Sequence, residues 1–237
     1  MAMHHGTIKF HLEGVIVGKE YMKKFAFVSD FDGTLTDRDF YHIVMDKYLK
    51  DWAWGYYYEW IKTKKINVEF LNKIFGAMDA SEEEILEDIL KLPLDPYAMS
   101  FIKKVESCGG DFFILSAGTS YYIKKLLGHF NIENVTVISM EGVYKDRGIQ
   151  ILPDTKDEFF SDIWGVDKAK VILSLKQKYP KVYFAGDSEP DMAAAKAADC
   201  AFARNNLQEL LKLGNIPFVP FNQYNEVEEY MVQQDWL

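Results

Sequence analysis

The chain of 237 residues carries 27 Lys and Arg against 36 Asp and Glu, a formal net charge of −9, with 49% hydrophobic and 27% charged residues. That balance excludes a disordered or collagen-like chain and argues against non-specific nucleic-acid binding through a basic face. No apolar run reaches the length of about 18 residues that a membrane span needs, and two cysteines, Cys108 and Cys200, cannot build a disulfide framework, so the expectation is a cytoplasmic protein without a membrane partner.

Residues 1–21 stand apart as an N-terminal extension. Thr7 to Leu12 alternates in polarity, Glu13-Gly14 is a turn signal and Val15-Ile16-Val17 follows, which suits a strand hairpin. The apolar run is too short for a signal peptide, Met22-Lys23-Lys24 reads as an alternative beginning, and the segment is assigned no function. From Phe25 the pattern becomes regular. Phe25-Ala26-Phe27-Val28 is a continuous apolar run ending at acids, as expected of a strand buried on both faces. Similar runs recur at 112–115, 135–138, 182–185 and 200–202, with a weaker one at 216–219. Helical patterns at 97–107, 120–129, 166–178, 190–197, 205–213 and 223–233 separate most of them. Strands alternating with helices predict an α/β fold, a Rossmann-like parallel sheet with right-handed crossovers.

One stretch breaks the alternation. About 60 residues after the first strand contain helical spacing only: Val68, Leu71, Ile74 and Phe75, then Ile85, Leu86, Ile89 and Leu90. Ser81 followed by Glu82, Glu83 and Glu84 is a helix start with acids on the positive end of the dipole. The expected organisation is a core from residues 22–37 and 95–237 with a helical cap domain, 38–94, inserted after the first strand. A second insertion, 140–164, reads as a small hairpin with turn signals at Glu141-Gly142 and Arg147-Gly148.

The chemistry gathers at strand ends, where open α/β sheets bind ligands. Asp30 and Asp32 in Asp30-Phe31-Asp32-Gly33-Thr34 lie two apart on extended chain and point the same way, so they repel unless a cation or a shared proton intervenes. Gly33 permits a tight turn and close approach to an anion. Gly186-Asp187-Ser188-Glu189-Pro190-Asp191 repeats the theme: Ser188 caps a helix with Pro190 in its first turn, holding Asp187 at the strand tip and Asp191 at the helix start, while Glu189 is only a favourable charge on the dipole. Leu115-Ser116-Ala117-Gly118-Thr119-Ser120 offers a hydroxyl and backbone amides, with Ser120 as the simple N-cap. Lys168 opens the helix before the strand to Ala185 and is a candidate point charge.

These four pieces, in this order, resemble the motifs of the haloacid dehalogenase-like superfamily of aspartyl phosphatases: Asp30-Phe31-Asp32-Gly33-Thr34, Ser116, Lys168 and Gly186-Asp187-Ser188-x-x-Asp191. The resemblance spans residues 22–235, and the cap placement looks like the branch that includes phosphoserine phosphatase. Gly186-Asp187-Ser188, Ala193 to Lys196 and Cys200 to Arg204 look most like a methionine-salvage member of it. The resemblance implies a Mg²⁺-dependent phosphomonoesterase acting on a small phosphorylated metabolite. Asp30 would be the nucleophile and Asp32 the general acid and base. Mg²⁺ would sit on Asp30, the Asp32 carbonyl and Asp187, with Asp191 supporting or ligating. Ser116, Lys168 and the backbone amides of Phe31, Gly33 and Ala117 would hold the phosphoryl oxygens. The same motifs admit a phosphotransferase or phosphomutase, or phosphoserine as substrate.

Arg38, between site and cap, is a candidate for a substrate anion and equally a surface residue. The aromatic stretch Trp52, Trp54, Tyr56, Tyr57, Tyr58 and Trp60 is read first as cap core and second as pocket lining or subunit contact. His42 and His129 read as structural, and Cys108 and Cys200 as ordinary thiols.

Overall fold

The computed structural model describes residues 24–62, 65–132 and 134–237, so the hairpin expected around Glu13-Gly14 lies outside the described residues. A seven-stranded sheet runs in the order β4-β3-β2-β1-β7-β8-β9. Its strands are β1 (Phe25–Ser29), β2 (Gly110–Thr119), β3 (Thr136–Lys145), β4 (Gly148–Leu152), β7 (Val182–Gly186), β8 (Cys200–Ala203) and β9 (Val219–Pro220). All neighbours pair in parallel except β3 with β4. Strands β5 (Phe160–Ser161) and β6 (Gly165–Val166) form a separate two-stranded sheet. All five residues of β1 are buried, as a strand covered on both faces requires. Phe27 meets Phe101, Phe112 and Phe202 at ring-centroid distances of 4.7, 5.5 and 5.9 Å. The central position of β1, with β2 on one side and β7 on the other, puts three strand ends at one edge.

Four helices follow β1: α1 (Phe40–Val44), α2 (Lys50–Ile61), α3 (Val68–Phe75) and α4 (Glu82–Ile89), with a π-helical turn at Met45–Leu49. Helix α4 starts with the reciprocal capping box that Ser81 and Glu84 predict. The two ends of this helical stretch run side by side: Thr36 bridges Leu94, Asp37 N donates to Pro93 O at 2.8 Å and Asp95 N to Leu35 O at 2.9 Å. Of the α2 aromatics Trp60 is buried, Tyr57 faces the cavity described below, and Trp52 and Tyr58 remain 46% and 55% exposed. The stretch is thus divided between core, pocket and surface. His42 stacks on Trp54 at 5.4 Å.

The remaining helices are α5 (Ala98–Ser107), α6 (Ser120–His129), α7 (Lys168–Leu175), α8 (Met192–Ala197), α9 (Asn205–Leu213) and α10 (Tyr224–Gln233). Three local expectations are corrected. The hairpin turns at Asp146 and Arg147, both with positive φ (49° and 64°), and Glu141-Gly142 lies inside β3. Gly142 serves close approach there, since a Cβ would fall 2.2 Å from Thr119 Oγ1. The N-cap of α6 is Thr119 and not Ser120, which is its first residue. The run at 216–219 becomes only the edge strand Val219–Pro220, a place where a missing proline N–H is tolerated. No helix among the described residues is long and apolar enough to cross a membrane.

Candidate active site

The acids meet because the β1–β7 ladder runs past β1. Asp30 N donates to Ala185 O at 2.9 Å, which sets Asp30 beside the loop carrying Asp187. That loop is shaped by Asp191, whose Oδ2 accepts from Asp187 N at 2.9 Å and Ser188 N at 3.1 Å. Ser188 and Asp191 form a capping box with Pro190 in the first turn, as the local sequence predicts. Helix α7, N-capped by Asp167, delivers Lys168 at its first position. The Lys168 ammonium donates to Asp30 Oδ1 at 2.7 Å and to Asp191 Oδ1 at 2.6 Å, with only 2% of its side chain exposed.

Ligand oxygens of Asp30, Asp187 and Asp191, one from each, lie within 4.8 Å of one another, all from buried residues. Asp187 Oδ1 is buried without a hydrogen-bond partner. Burial, then the Asp191 charge, pushes the Asp187 carboxyl up to about 8. Burial and the Asp191 charge likewise hold Asp30 well above the usual carboxylate range, against the opposing pull of Lys168. Burial alone would lower Lys168, and the Asp191 and Asp30 carboxylates outweigh it and raise it. An unpartnered buried oxygen beside other carboxylates is an unfavourable arrangement that a hard divalent cation relieves, so the donor set fits such an ion.

Asp32 lines a cavity together with Asp30, Lys168 and Asp187. Its Oδ1 accepts from Phe40 N at 3.0 Å and its Oδ2 from the Tyr122 hydroxyl at 2.5 Å. Burial and the neighbouring Asp39 raise it to about 7, a value suited to giving and taking a proton near neutrality. The cavity, about 620 Å³, is lined by Asp30, Asp32, Ser116, Ala117, Lys168 and Asp187 among others. Tyr57, Ile61, Ile66, Leu71 and Phe75, all between β1 and β2, line it as well. The Ser116 hydroxyl, 1% exposed as a residue, accepts from Gly118 N at 3.0 Å and keeps its own proton to donate.

Phe31 and Gly33 do not line the cavity with side chains. The Phe31 carbonyl gathers Thr34 N, Leu35 N and Thr36 N at 3.3, 2.9 and 3.0 Å, curling the loop that carries Asp32. Gly33 has φ 78°, and a Cβ there would lie 2.4 Å from Asp187 Oδ2. The glycine is needed for conformation and for the approach of that carboxylate together. Arg38 is not brought to the site. Its guanidinium pairs with Asp46, and the two side chains are 42% and 45% exposed. Asp46 lies eight residues further on, at the start of the π-helical turn, a spacing that the sequence pattern does not reveal.

Four residues escaped sequence reasoning. Asp39 lines the cavity, hydrogen-bonded by the Tyr41 hydroxyl, and lies in the segment leading from site to cap. Tyr122 touches Asp32, and Gly118 makes room for it. Glu189, read as a dipole charge, pairs with Lys65, and both line the cavity. The acidity of Asp39 is a usable signal, whereas Tyr122 is hidden among the apolar positions Ile123, Leu126 and Leu127.

The family model for haloacid dehalogenase-like hydrolases matches residues 27–196. The 2-hydroxy-3-keto-5-methylthiopentenyl-1-phosphate phosphatase of Brevibacillus brevis is 26% identical over 218 residues, covering 89% of this chain and 96% of that protein. The phosphatase of the same name from Bacillus velezensis is 28% identical over 205 residues, covering 85% and 87%. A substrate-bound phosphoserine phosphatase superposes with a TM-score of 0.66 at 16% identity, covering 88% of this chain and 98% of that one, a likeness of fold. The match runs over more than half of the chain and agrees with its mostly parallel sheet, so the chain belongs to the haloacid dehalogenase-like hydrolases and is an enzyme of that family.

Proposed function

We propose that the protein is a Mg²⁺-dependent phosphomonoesterase that hydrolyses a small phosphorylated metabolite through an aspartyl-phosphate. The observation that carries this reading is the Asp187 oxygen left unpartnered beside Asp30, with Lys168 already bound to Asp30 and Asp32 facing the same cavity. Asp30 attacks phosphorus and forms the new P–O bond as the bond to the leaving oxygen breaks. Asp32 gives its proton to that oxygen, then takes one from the water that splits the aspartyl-phosphate and frees Asp30 and inorganic phosphate. Lys168, the Ser116 hydroxyl and the amides of Phe31, Gly33 and Ala117 hold the phosphoryl oxygens. Mg²⁺ would be held by Asp30, the Asp32 carbonyl and Asp187, and when bound it supplies charge neutralisation for an anionic substrate among acids. Asp191, engaged by Lys168 and two amides, positions the Asp187 loop.

The cap, residues 38–94 in this reading, closes the cavity and selects the substrate's carbon end. Tyr57, Ile61, Ile66, Leu71 and Phe75 favour an apolar tail of modest size. That character and the names of the full-length relatives make 2-hydroxy-3-keto-5-methylthiopentenyl-1-phosphate the first candidate substrate. The test is hydrolysis of an aryl phosphate with Mg²⁺ and with EDTA, by wild type and Asp30→Asn, followed by a panel containing phosphoserine and the methylthio substrate. The expected result is Mg²⁺-dependent release of free phosphate that Asp30→Asn abolishes. Undiminished rates in EDTA or in Asp30→Asn would overturn the proposal.

A further inference from the structure

The Tyr122 ring is wholly buried between core and cap, with Phe31, Phe40 and Phe75 at centroid distances of 5.8, 4.9 and 6.2 Å. A phenylalanine would make the same ring contacts. The hydroxyl therefore needs its own reason, since a buried hydroxyl without a partner is unfavourable. Its partner is Asp32 Oδ2 at 2.5 Å. The bond exists only because residue 118 lacks a side chain. A Cβ on Gly118 would fall 1.8 Å from the Tyr122 hydroxyl oxygen, 3.0 Å from its Cζ and 3.1 Å from Asp32 Oδ2. Gly118 has no positive φ, so close approach and not backbone conformation is what requires a glycine there.

We propose that Tyr122 is a positioning residue for the proton-transfer step, its hydroxyl fixing the Asp32 carboxyl toward the leaving oxygen, with Gly118 reserved as the space for that hydroxyl. The two oxygens of Asp32 are held by donors of different origin. Phe40 N comes from the first helix of the cap, whereas Tyr122 comes from α6 of the core. The core donor restrains the carboxyl whatever the cap does. Loss of the Tyr122 hydroxyl leaves Oδ2 free to rotate from the line of transfer, and misplacement of a general acid by a fraction of an ångström is expensive in rate. This inference rests on the phosphomonoesterase reading above.

The experiment measures kcat/KM for wild type and Tyr122→Phe with Mg²⁺ over a graded series: p-nitrophenyl phosphate, phenyl phosphate and an alkyl phosphate. A weakly basic leaving group departs with little help, whereas an alkoxide must be protonated as it leaves. The expected result is a loss that grows along the series, reaching about a hundredfold for the alkyl phosphate, the lower range of general acid catalysis. A merely structural defect lowers all three alike. Gly118→Ala should show the same steepening in the wild-type background and add less in the Tyr122→Phe background, because the 1.8 Å contact is gone while those with Cζ at 3.0 Å and Asp32 Oδ2 at 3.1 Å remain. Equal loss for all leaving groups, or no loss, overturns the role of Tyr122 while leaving the enzymatic reading intact. Absence of Mg²⁺-dependent turnover in the wild type with every member of the series overturns both.

Discussion

Lys168 Nζ lies 2.6 Å from Asp191 Oδ1, a pair with side-chain exposures of 2% and 0%. It ties the start of α7 to the loop after β7. Without Asp191, Lys168 keeps Asp30 as its partner at 2.7 Å, but the amides of Asp187 and Ser188 lose their acceptor. Asp191→Ala is therefore expected to lose about 1–3 kcal/mol in a urea titration. Asp191→Asn should lose less, because an amide oxygen still accepts from Asp187 N and Ser188 N. A loss in Asp191→Ala of the size typical of exposed pairs, under about 1 kcal/mol, would contradict this.

Gly33 holds φ 78° with the Asp187 carboxylate against its face. Gly33→Ala places a Cβ where Asp187 Oδ2 stands, 2.4 Å away, so the carboxylate must move. Calorimetric titration with Mg²⁺ should show at least about a tenfold weaker affinity, about 1.4 kcal/mol. An unchanged affinity would mean that Asp187 does not hold the ion.

Proton and metal should compete at the same carboxylates. Asp187 is raised to about 8 in the fold, against about 3.9 for an unperturbed aspartate. A group whose folded pKa is raised binds its proton more tightly when folded. The metal-free protein therefore loses stability as pH rises from the ordinary carboxylate range through about 8. Mg²⁺ replaces that proton, so the rise in Tm on adding Mg²⁺ should be larger near pH 9 than near pH 6. Equal shifts at both pH values would show that this carboxylate is not titrating in the folded protein.

Arg204 secures the route from site to cap. Its Nη1 donates to Thr34 O at 3.2 Å and its Nη2 to Asp37 Oδ1 at 3.0 Å, with 13% of the side chain exposed. Arg204→Ala leaves the Thr34 carbonyl without this donor and is expected to destabilise by about 1–3 kcal/mol. Amide hydrogen exchange should rise at residues 34–37 more than in β2 or β8. Arg204→Lys should recover little, because a single ammonium does not reproduce a fork that spans two acceptors.

Much of this arrangement was legible before folding was considered. Continuous apolar runs ending at Asp30 and Asp187 mark strands buried on both faces, and such strands put their terminal acids at a common edge. Ser81 with Glu84, and Ser188 with Asp191, announce helix starts through bonds made within four residues. The helices between β1 and β2 follow equally from spacing. Of the two turn signals, Arg147-Gly148 falls at the hairpin's turn and Glu141-Gly142 lies within β3, although Gly142 and Gly148 look alike in sequence. Gly142 faces Thr119 and Gly148 faces the Phe75 carbonyl, so both serve contacts with distant segments.

Residue period and bonds between near neighbours were enough to place most of the elements, their order and the charges at strand ends. Which side chains meet depends on how those elements pack. Tyr121 and Tyr122 are adjacent, yet one hydroxyl reaches Glu82 at 2.7 Å and the other Asp32 at 2.5 Å. The rotation of α6 against its neighbours chooses between them, and no local pattern encodes that rotation. Lys168 likewise takes partners 138 and 23 positions away, and Arg38 is claimed by Asp46 at the start of the π-helical turn. Periodicity reports which face of an element is apolar. The packing of elements against one another sets the angle and register at which the few polar groups on those faces come into contact.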